Sequence, residues 1–281
     1  MDFIRGGCFL GAGREPARIA LFGVPLDQTT SFRPGTRFAP GKVREVSENL
    51  EEYSPMLDRE LGEASFADLG DVDLVPGQLE VNLERIERVG ATLARQGQIP
   101  LAIGGEHLIS YPLVKGLLET HPDLLFIQLD AHADLRADYL GQPLSHASVV
   151  RRVVELLGGE RVYQLGIRSG TRDEFAYGCR ETRFFPGEVL APLGELVQGF
   201  GDRPIYLSID IDVVDPAFAP GTGTPEPGGI TSGELLEGLY LLQGINLVGM
   251  DIVELCPPAD SGDITAMLVA KLIRETCLIW G

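Results

Sequence analysis

Short, nearly unbroken apolar runs alternate along this chain with stretches whose apolar residues recur at helical spacing. Residues 18–24, 64–68, 99–103, 124–129, 162–167, 205–209 and 247–253 read as strands. Residues 42–53, 79–95, 149–157, 188–200 and 232–242 read as helices. A last helix is expected after Asp263, taken as its N-cap, and runs through Ile273 towards the C-terminus. Such alternation calls for a parallel sheet covered by helices, with strands apolar on both faces because both are buried. No linker, repeat or low-complexity stretch intervenes, so residues 1–281 are expected to form one domain. Alternation alone leaves an open doubly wound sheet and a closed barrel both open.

The polar residues that interrupt this pattern fall in one kind of place. Asp130-Ala131-His132-Ala133-Asp134 follows the run 124–129, and Ser208-Ile209-Asp210-Ile211-Asp212 follows the run 205–207. In extended backbone, residues two apart point the same way, so each set is expected to converge. Gly104-Gly105-Glu106-His107 follows the strand at 99–103, and Glu254 follows the strand at 247–253. All four motifs sit at carboxyl ends of strands, where parallel α/β sheets bind ligands.

Six candidate metal ligands emerge: His107, Asp130, His132, Asp134, Asp210 and Asp212. Their four carboxylates carry four negative charges, which two divalent ions balance and one does not. Uncompensated carboxylates in a desolvated cleft would protonate or separate. A dinuclear site is therefore expected, with carboxylates bridging ions about 3.5–4 Å apart. An oxygen-rich, thiolate-free set with two imidazoles suits Mn²⁺, and Ni²⁺, Co²⁺ or Fe²⁺ also fit. Asp215 or His121, seen alone, reads as a turn residue or a satisfied core residue.

Composition sets outer bounds. The formal charge of −18 disfavours nucleic acid or anionic lipid as partner, and is compatible with a cationic substrate or simply with solubility. No apolar run approaches the roughly 20 residues that span a bilayer. Residues 1–7 lack the basic flank and apolar core of a secretory signal. Cys8, Cys179, Cys256 and Cys277 form no Cys-x-x-Cys pair, which fits a reducing cytoplasm. Gly11-Ala12-Gly13 is a weak hint of a nucleotide site, since it does not follow a strand as such fingerprints require.

The three ligand motifs and the segments around them resemble the ureohydrolase family, which includes arginase, agmatinase and related guanidino-compound hydrolases. Asp210-Ile211-Asp212 continues through Val213-Val214-Asp215-Pro216 to Thr222-Gly223-Thr224-Pro225-Glu226-Pro227-Gly228-Gly229, also similar to the family. Asp251-Ile252-Val253-Glu254-Leu255-Cys256-Pro257-Pro258 looks like its substrate-binding segment. The resemblance implies a three-layer αβα fold with a largely parallel sheet of about eight strands, and so the open sheet. It also implies two Mn²⁺ per subunit, hydrolysis of a guanidinium to urea and an amine, and a homo-oligomer, trimeric or hexameric. By motif position, His107, Asp130, Asp134 and Asp210 would serve one ion. His132, Asp130, Asp210 and Asp212 would serve the other, with Asp130 and Asp210 bridging. Glu254 suits a bidentate grip on guanidinium. His146 matches the family's substrate-loop histidine and would protonate the leaving amine. Thr224 matches a position near the guanidinium, and Asp134 joins His146 and Glu254 as a catalytic candidate. The chain departs from the family at Glu106, where Asp is usual, and at Ala147, where Gly is common. Glu106 is expected to support its neighbours or cap a helix rather than bind metal.

The substrate tail rests on residues 135–148. This segment has no Asn and differs in spacing from the arginase loop. Asp138-Tyr139 to Ser145-His146-Ala147-Ser148 looks like the agmatinase branch, which implies cleavage of agmatine to putrescine and urea. Asp138 or another acidic loop residue would attract the ammonium tail. Aminopropylagmatine, guanidinobutyrate and guanidine are the alternatives, with arginine less favoured. Guanidinobutyrate would want a cation such as Arg136 or Arg168 at the rim. A catalytically silent metal-binding interaction protein is the distant alternative.

Overall fold

In the computed structural model, residues 3–4, 7–13 and 16–281 are described. Met1, Asp2, Arg5 and Gly6 of the segment compared with a secretory signal lie outside them. The first half runs β1 (Phe3–Ile4), β2 (Ile19–Val24), α1 (Ala39–Ser47), β3 (Tyr53–Ser54), β4 (Arg59–Glu60), β5 (Phe66–Val72), α2 (Leu79–Arg95), β6 (Ile99–Gly104) and α3 (Ser110–Leu117). The second half runs β7 (Leu125–Leu129), α4 (Val149–Leu157), β8 (Val162–Leu165), α5 (Arg172–Glu181), β9 (Arg183–Phe185) and α6 (Leu190–Phe200). It closes with β10 (Ile205–Asp210), α7 (Ser232–Leu241), β11 (Leu247–Val253) and α8 (Ile264–Trp280).

Among the described residues, nine strands form one open sheet in the order β1-β5-β2-β6-β11-β10-β7-β8-β9. All its pairings are parallel except that of β1 with β5. Its two outer edges, β1 and β9, settle the choice against a barrel. Strand alternation divides the core between the faces. Leu125, Ile127 and Leu129 of β7 and Ile205, Leu207 and Ile209 of β10 join α1, α6, α7 and α8 on one side. Phe126 and Tyr206 face α2, α3 and α4 on the other. The three-layer αβα expectation is met, with one strand more than anticipated.

The differences have local causes. Helix α1 begins at Ala39, ahead of the expected start at Lys42, because Pro40 sits in its first turn, where its missing N–H costs nothing. It ends at Ser47, and Tyr53–Ser54 is a strand rather than the helix end expected at 42–53. Helix α3 carries Pro112 and Gly116, which mask its pattern, yet a Cβ on Gly116 would lie 2.4 Å from the Glu87 carbonyl of α2. That glycine lets the two helices approach. Helix α5 buries only Glu174 and Gly178, so no apolar period announces it. Asp263 precedes α8 but its side chain does not cap it. Asp260 does so instead, accepting the amides of Thr265 at 3.1 Å and Ala266 at 2.8 Å.

Candidate metal centre

Register places the site before any side chain is considered. Strands β6, β11, β10 and β7 are consecutive in the sheet. Ile103 pairs with Ile252, Asp210 with Val253 and Leu129 with Ile209. Asp130, Asp210, Glu254 and the 105–107 segment therefore leave four adjacent strands at one level. The convergence within each motif does not come from strand alternation, as the sequence suggested. Strand β7 ends at Leu129, and Asp134 is turned inward by a left-handed backbone with φ of 52°. Asp212 lies on a single 3-10 turn, Ile211–Val213, whose first amide-side cap is the Asp210 carboxylate, 2.9 Å from the Asp212 N–H.

Two groups of side chains can each surround an ion: His107, Asp130 and Asp210, and Asp130, His132 and Asp212. Asp134 adds its Oδ2 3.1 Å from His107 Nδ1. The same nitrogen lies 3.1 Å from Asp130 Oδ2 and 3.4 Å from Asp210 Oδ2, and His132 Nδ1 lies 2.9 Å from Asp212 Oδ2. Burial, then the charges of Asp212 and Asp134, push the Asp130 carboxyl up to about 7. Burial with Asp212 and Asp130 raises Asp210 well above the carboxylate range. Against the opposing effect of burial, Asp212 and Asp130 lift His132 to about 11. These are the shifts of a carboxylate cluster that demands positive charge from its surroundings.

His107 shows that the donors suit a metal. Its Nε2 faces Ser208 Oγ at 3.0 Å, and the Ser208 hydroxyl donates to Asp251 Oδ1 at 2.6 Å. With that hydrogen committed, Ser208 accepts Nε2–H, and Nδ1 faces three carboxylates, which raise the imidazole pKa well above its usual value against the opposing effect of burial. Nδ1 is buried and has no hydrogen-bond partner among the described residues. A ring nitrogen surrounded by three anionic oxygens calls for positive charge at that point, which a proton or a divalent metal ion supplies. The site therefore fits divalent metal.

Sequence reading missed what stands behind these ligands. Gln164, Gln128, Ser208 and Asp251 occupy one row across β8, β7, β10 and β11. Gln164 donates to Gln128 at 2.8 Å, and Gln128 donates to Asp130 Oδ2 at 2.5 Å. Tyr206 donates to Asp251 Oδ2 at 2.5 Å. A polar residue interrupting each of four buried strands was the available signal.

Glu254 is buried, with a left-handed φ of 63°. Strain of this kind, about 1–3 kcal/mol, persists where surrounding structure enforces it and clusters at functional sites. Its amide donates to Gly105 O at 3.0 Å and its Oε1 accepts His107 N–H at 2.8 Å. Gly105 has no room for a side chain, since a Cβ would sit 1.8 Å from Leu26 O. Burial, and to a smaller degree Glu106, push the Glu254 carboxyl up to about 8. His146 Nδ1 lies 3.9 Å from Glu254 Oε1, and burial lowers the pKa of His146. Thr224 Oγ1 lies 3.4 Å from Asp212 Oδ2. His132, Asp134, His146, Asp210, Thr224 and Glu254 all line one cavity of about 300 Å³.

The outer wall corrects several expectations. Asp138 does not line the cavity, its Oδ1 accepting Gly141 N–H at 2.8 Å; the acid that lines it besides Asp134, Asp210 and Glu254 is Glu174. The Arg168 guanidinium is spent on backbone carbonyls, including Asp212 O at 2.7 Å and Glu226 O at 2.6 Å. Arg136 does line the cavity, but lies 3.6 Å from Glu174 and stacks over Tyr139. Glu106 does not cap the turn it begins; both its oxygens hold Thr29. Asp215 is the turn residue expected, accepting the amides of Ala217, Gly228 and Gly229. Gly13 lies beside Ala67 of β5, away from any strand-to-helix turn.

A carboxylate–imidazole cluster of this make-up, at the carboxyl edge of an open parallel sheet, is that of a metal-dependent hydrolase. The sequence matches the Arginase family over residues 17–279. It is 47% identical over 270 residues to an agmatinase of Bacillus anthracis, covering 95% of this chain and 93% of that protein. It is 41% identical to the mitochondrial guanidino acid hydrolase of Homo sapiens, covering 91% and 76%. The structure superposes on the agmatine ureohydrolase of Thermoplasma volcanium with a TM-score of 0.87 at 35% identity, covering 95% and 91%. The chain belongs to the arginase family, a metal-dependent amidinohydrolase of the agmatinase-like kind.

Proposed function

We propose that this protein hydrolyses the guanidinium of agmatine, giving putrescine and urea, with two Mn²⁺ ions. The observation that carries the reading is His107 Nδ1 facing three carboxylates, two of which, Asp134 and Asp210, share a cavity wall with Glu254. The agmatinase relatives support the substrate. On this reading His107, Asp130, Asp134 and Asp210 hold one ion, and His132, Asp130, Asp210 and Asp212 the other. When bound, such a pair supplies Lewis acidity and lowers the pKa of a water so that it attacks near neutral pH.

The rest is done by the chain. Glu254, oriented by the His107 amide, holds the planar cation, and Thr224 borders it. Asp134 accepts the proton shed by the attacking water. Asp134 passes that proton to the departing nitrogen, and His146, on the same wall, relays to it the hydroxyl proton released as the carbon collapses to urea, so both water protons leave on the amine. The reading extends to one domain acting in polyamine biosynthesis, as a cytoplasmic homo-oligomer. Among the described residues, no helix is long and apolar enough to cross a membrane.

The Mn²⁺-loaded protein should release urea from agmatine at least about tenfold more efficiently than from aminopropylagmatine, arginine, guanidinobutyrate or guanidine. Guanidinobutyrate belongs in the panel because Arg136 lines the cavity. No urea from any of the five, with Mn²⁺ or Ni²⁺, would end the enzyme reading.

A second expectation follows from the Ser208 hydroxyl. Removing the partner of a ligating imidazole costs about 10–100-fold in metal affinity. Ser208→Ala should show that loss in calorimetric Mn²⁺ titration while keeping its fold. Unchanged affinity would mean that Ser208 does not orient His107.

A further inference from the structure

We propose that Thr29, clamped by Glu106, is the residue that positions His146. The inference rests on the reading of His146 as the proton donor and adds how that imidazole is held. His146 opens a 3-10 turn, His146–Ser148, and its amide is one of the donors that a helical start leaves unpaired. An N-cap side chain reaches the second or third amide of a turn and not the first, so the His146 donor needs a partner from elsewhere. Here the preceding residue, Ser145, makes no capping bond, and its hydroxyl pairs with Ser148 Oγ at 2.7 Å instead. The His146 amide donates to Thr29 Oγ1 at 2.9 Å, from a residue 117 positions away.

The direction of this contact is fixed. Glu106 is fully buried, and its Oε2 accepts the Thr29 amide at 2.7 Å while its Oε1 accepts the Thr29 hydroxyl at 2.8 Å. A hydroxyl has one hydrogen, and this one is given to Glu106. The remaining lone pairs of Thr29 Oγ1 are therefore turned to the His146 N–H. The same loop supplies Ser31, whose Oγ lies 3.1 Å from His146 Nε2. The loops after β2, β6 and β7 are thus tied together at Thr29. Because Glu106 precedes His107, the position of His146 is referenced to the ligand cluster through a single peptide. Thr29 touches none of the reacting atoms on this reading, and acts through His146.

The test is a double-mutant cycle in the Mn²⁺-loaded protein with agmatine. Thr29→Val keeps the shape and deletes the acceptor; kcat should fall about 10–100-fold, the range for a displaced catalytic group. Thr29→Ser restores the hydroxyl and should recover kcat to within about threefold of wild type. In a His146→Asn background, Thr29→Val should cost less than about twofold more, since residues acting as a unit are not additive. Amide exchange read by mass spectrometry should show His146 deprotected in Thr29→Val and protected in Thr29→Ser. Equal losses from Thr29→Val in both backgrounds, or unchanged His146 protection, overturn the positioning role while leaving His146 as proton donor. Near-wild-type kcat in His146→Asn alone overturns the proton-donor reading, and the positioning role with it. Should Thr29→Val not fold, Glu106→Gln carries the same cycle, because Gln puts an acceptor at only one of the two positions that hold the Thr29 amide and hydroxyl.

Discussion

Asp210→Asn will lose metal and urea release together. Asp210 ends β10, is buried, and belongs with His107 and Asp130 to one of the two carboxylate–imidazole groups. Its Oδ2 is 3.4 Å from His107 Nδ1, and its Oδ1 accepts the Asp212 amide at 2.9 Å. On the proposed ligand assignment it is shared by both ions, so removing its charge weakens both sites at once. Removing one partner from a buried charge pairing costs about 3–5 kcal/mol. At about 1.4 kcal/mol per decade, that is roughly 10²- to 10³-fold or more in affinity. Asn retains an oxygen for the Asp212 amide, so the local turn survives and a loss cannot be charged to unfolding. Metal content by elemental analysis and urea release measured on the same preparation should fall in parallel. A variant that kept both would refute the bridging assignment.

How far the sequence could be read follows the same geometry. Parallel strands buried on both faces announce themselves by apolar composition, and Leu79–Arg95, Val149–Leu157 and Leu247–Val253 match their expected bounds. The cluster itself was legible because carboxylates and histidines have no bland reason to gather at the ends of neighbouring buried strands. What brings them together was not legible. The left-handed backbone at Asp134 and Glu254 has no signature in residue type, since neither is glycine. Strand order was equally hidden: β10 and β11 come late in the chain yet insert between β6 and β7. Only that insertion sets Ser208 beside both Asp251 and Gln128. The cavity rim was the least legible part, because Asp138, Arg168 and Glu174 differ only in which backbone groups claim their side chains.

Glu254→Gln should separate holding substrate from holding metal. Gln has nearly the same volume and keeps an oxygen for the His107 amide, now 2.8 Å from Glu254 Oε1. It removes the negative charge. Glu254 is outside both ion-surrounding groups, so metal content should stay at the wild-type level. Guanidinium carries its full charge before attack and loses it as the nucleophile adds, so the lost partner is missed first in the ground state. Truncating one side of a buried, hydrogen-bonded charge pair costs about 2–5 kcal/mol. That is a fall of roughly 30- to 4,000-fold in kcat/KM. A loss carried mainly by KM marks Glu254 as the cation's anchor. A loss carried by kcat as well means that its grip tightens as the carbon becomes tetrahedral. Wild-type kcat/KM in a fully metallated variant would instead place the guanidinium against another wall of the cavity, and Glu254 would be left as a strained support for His107.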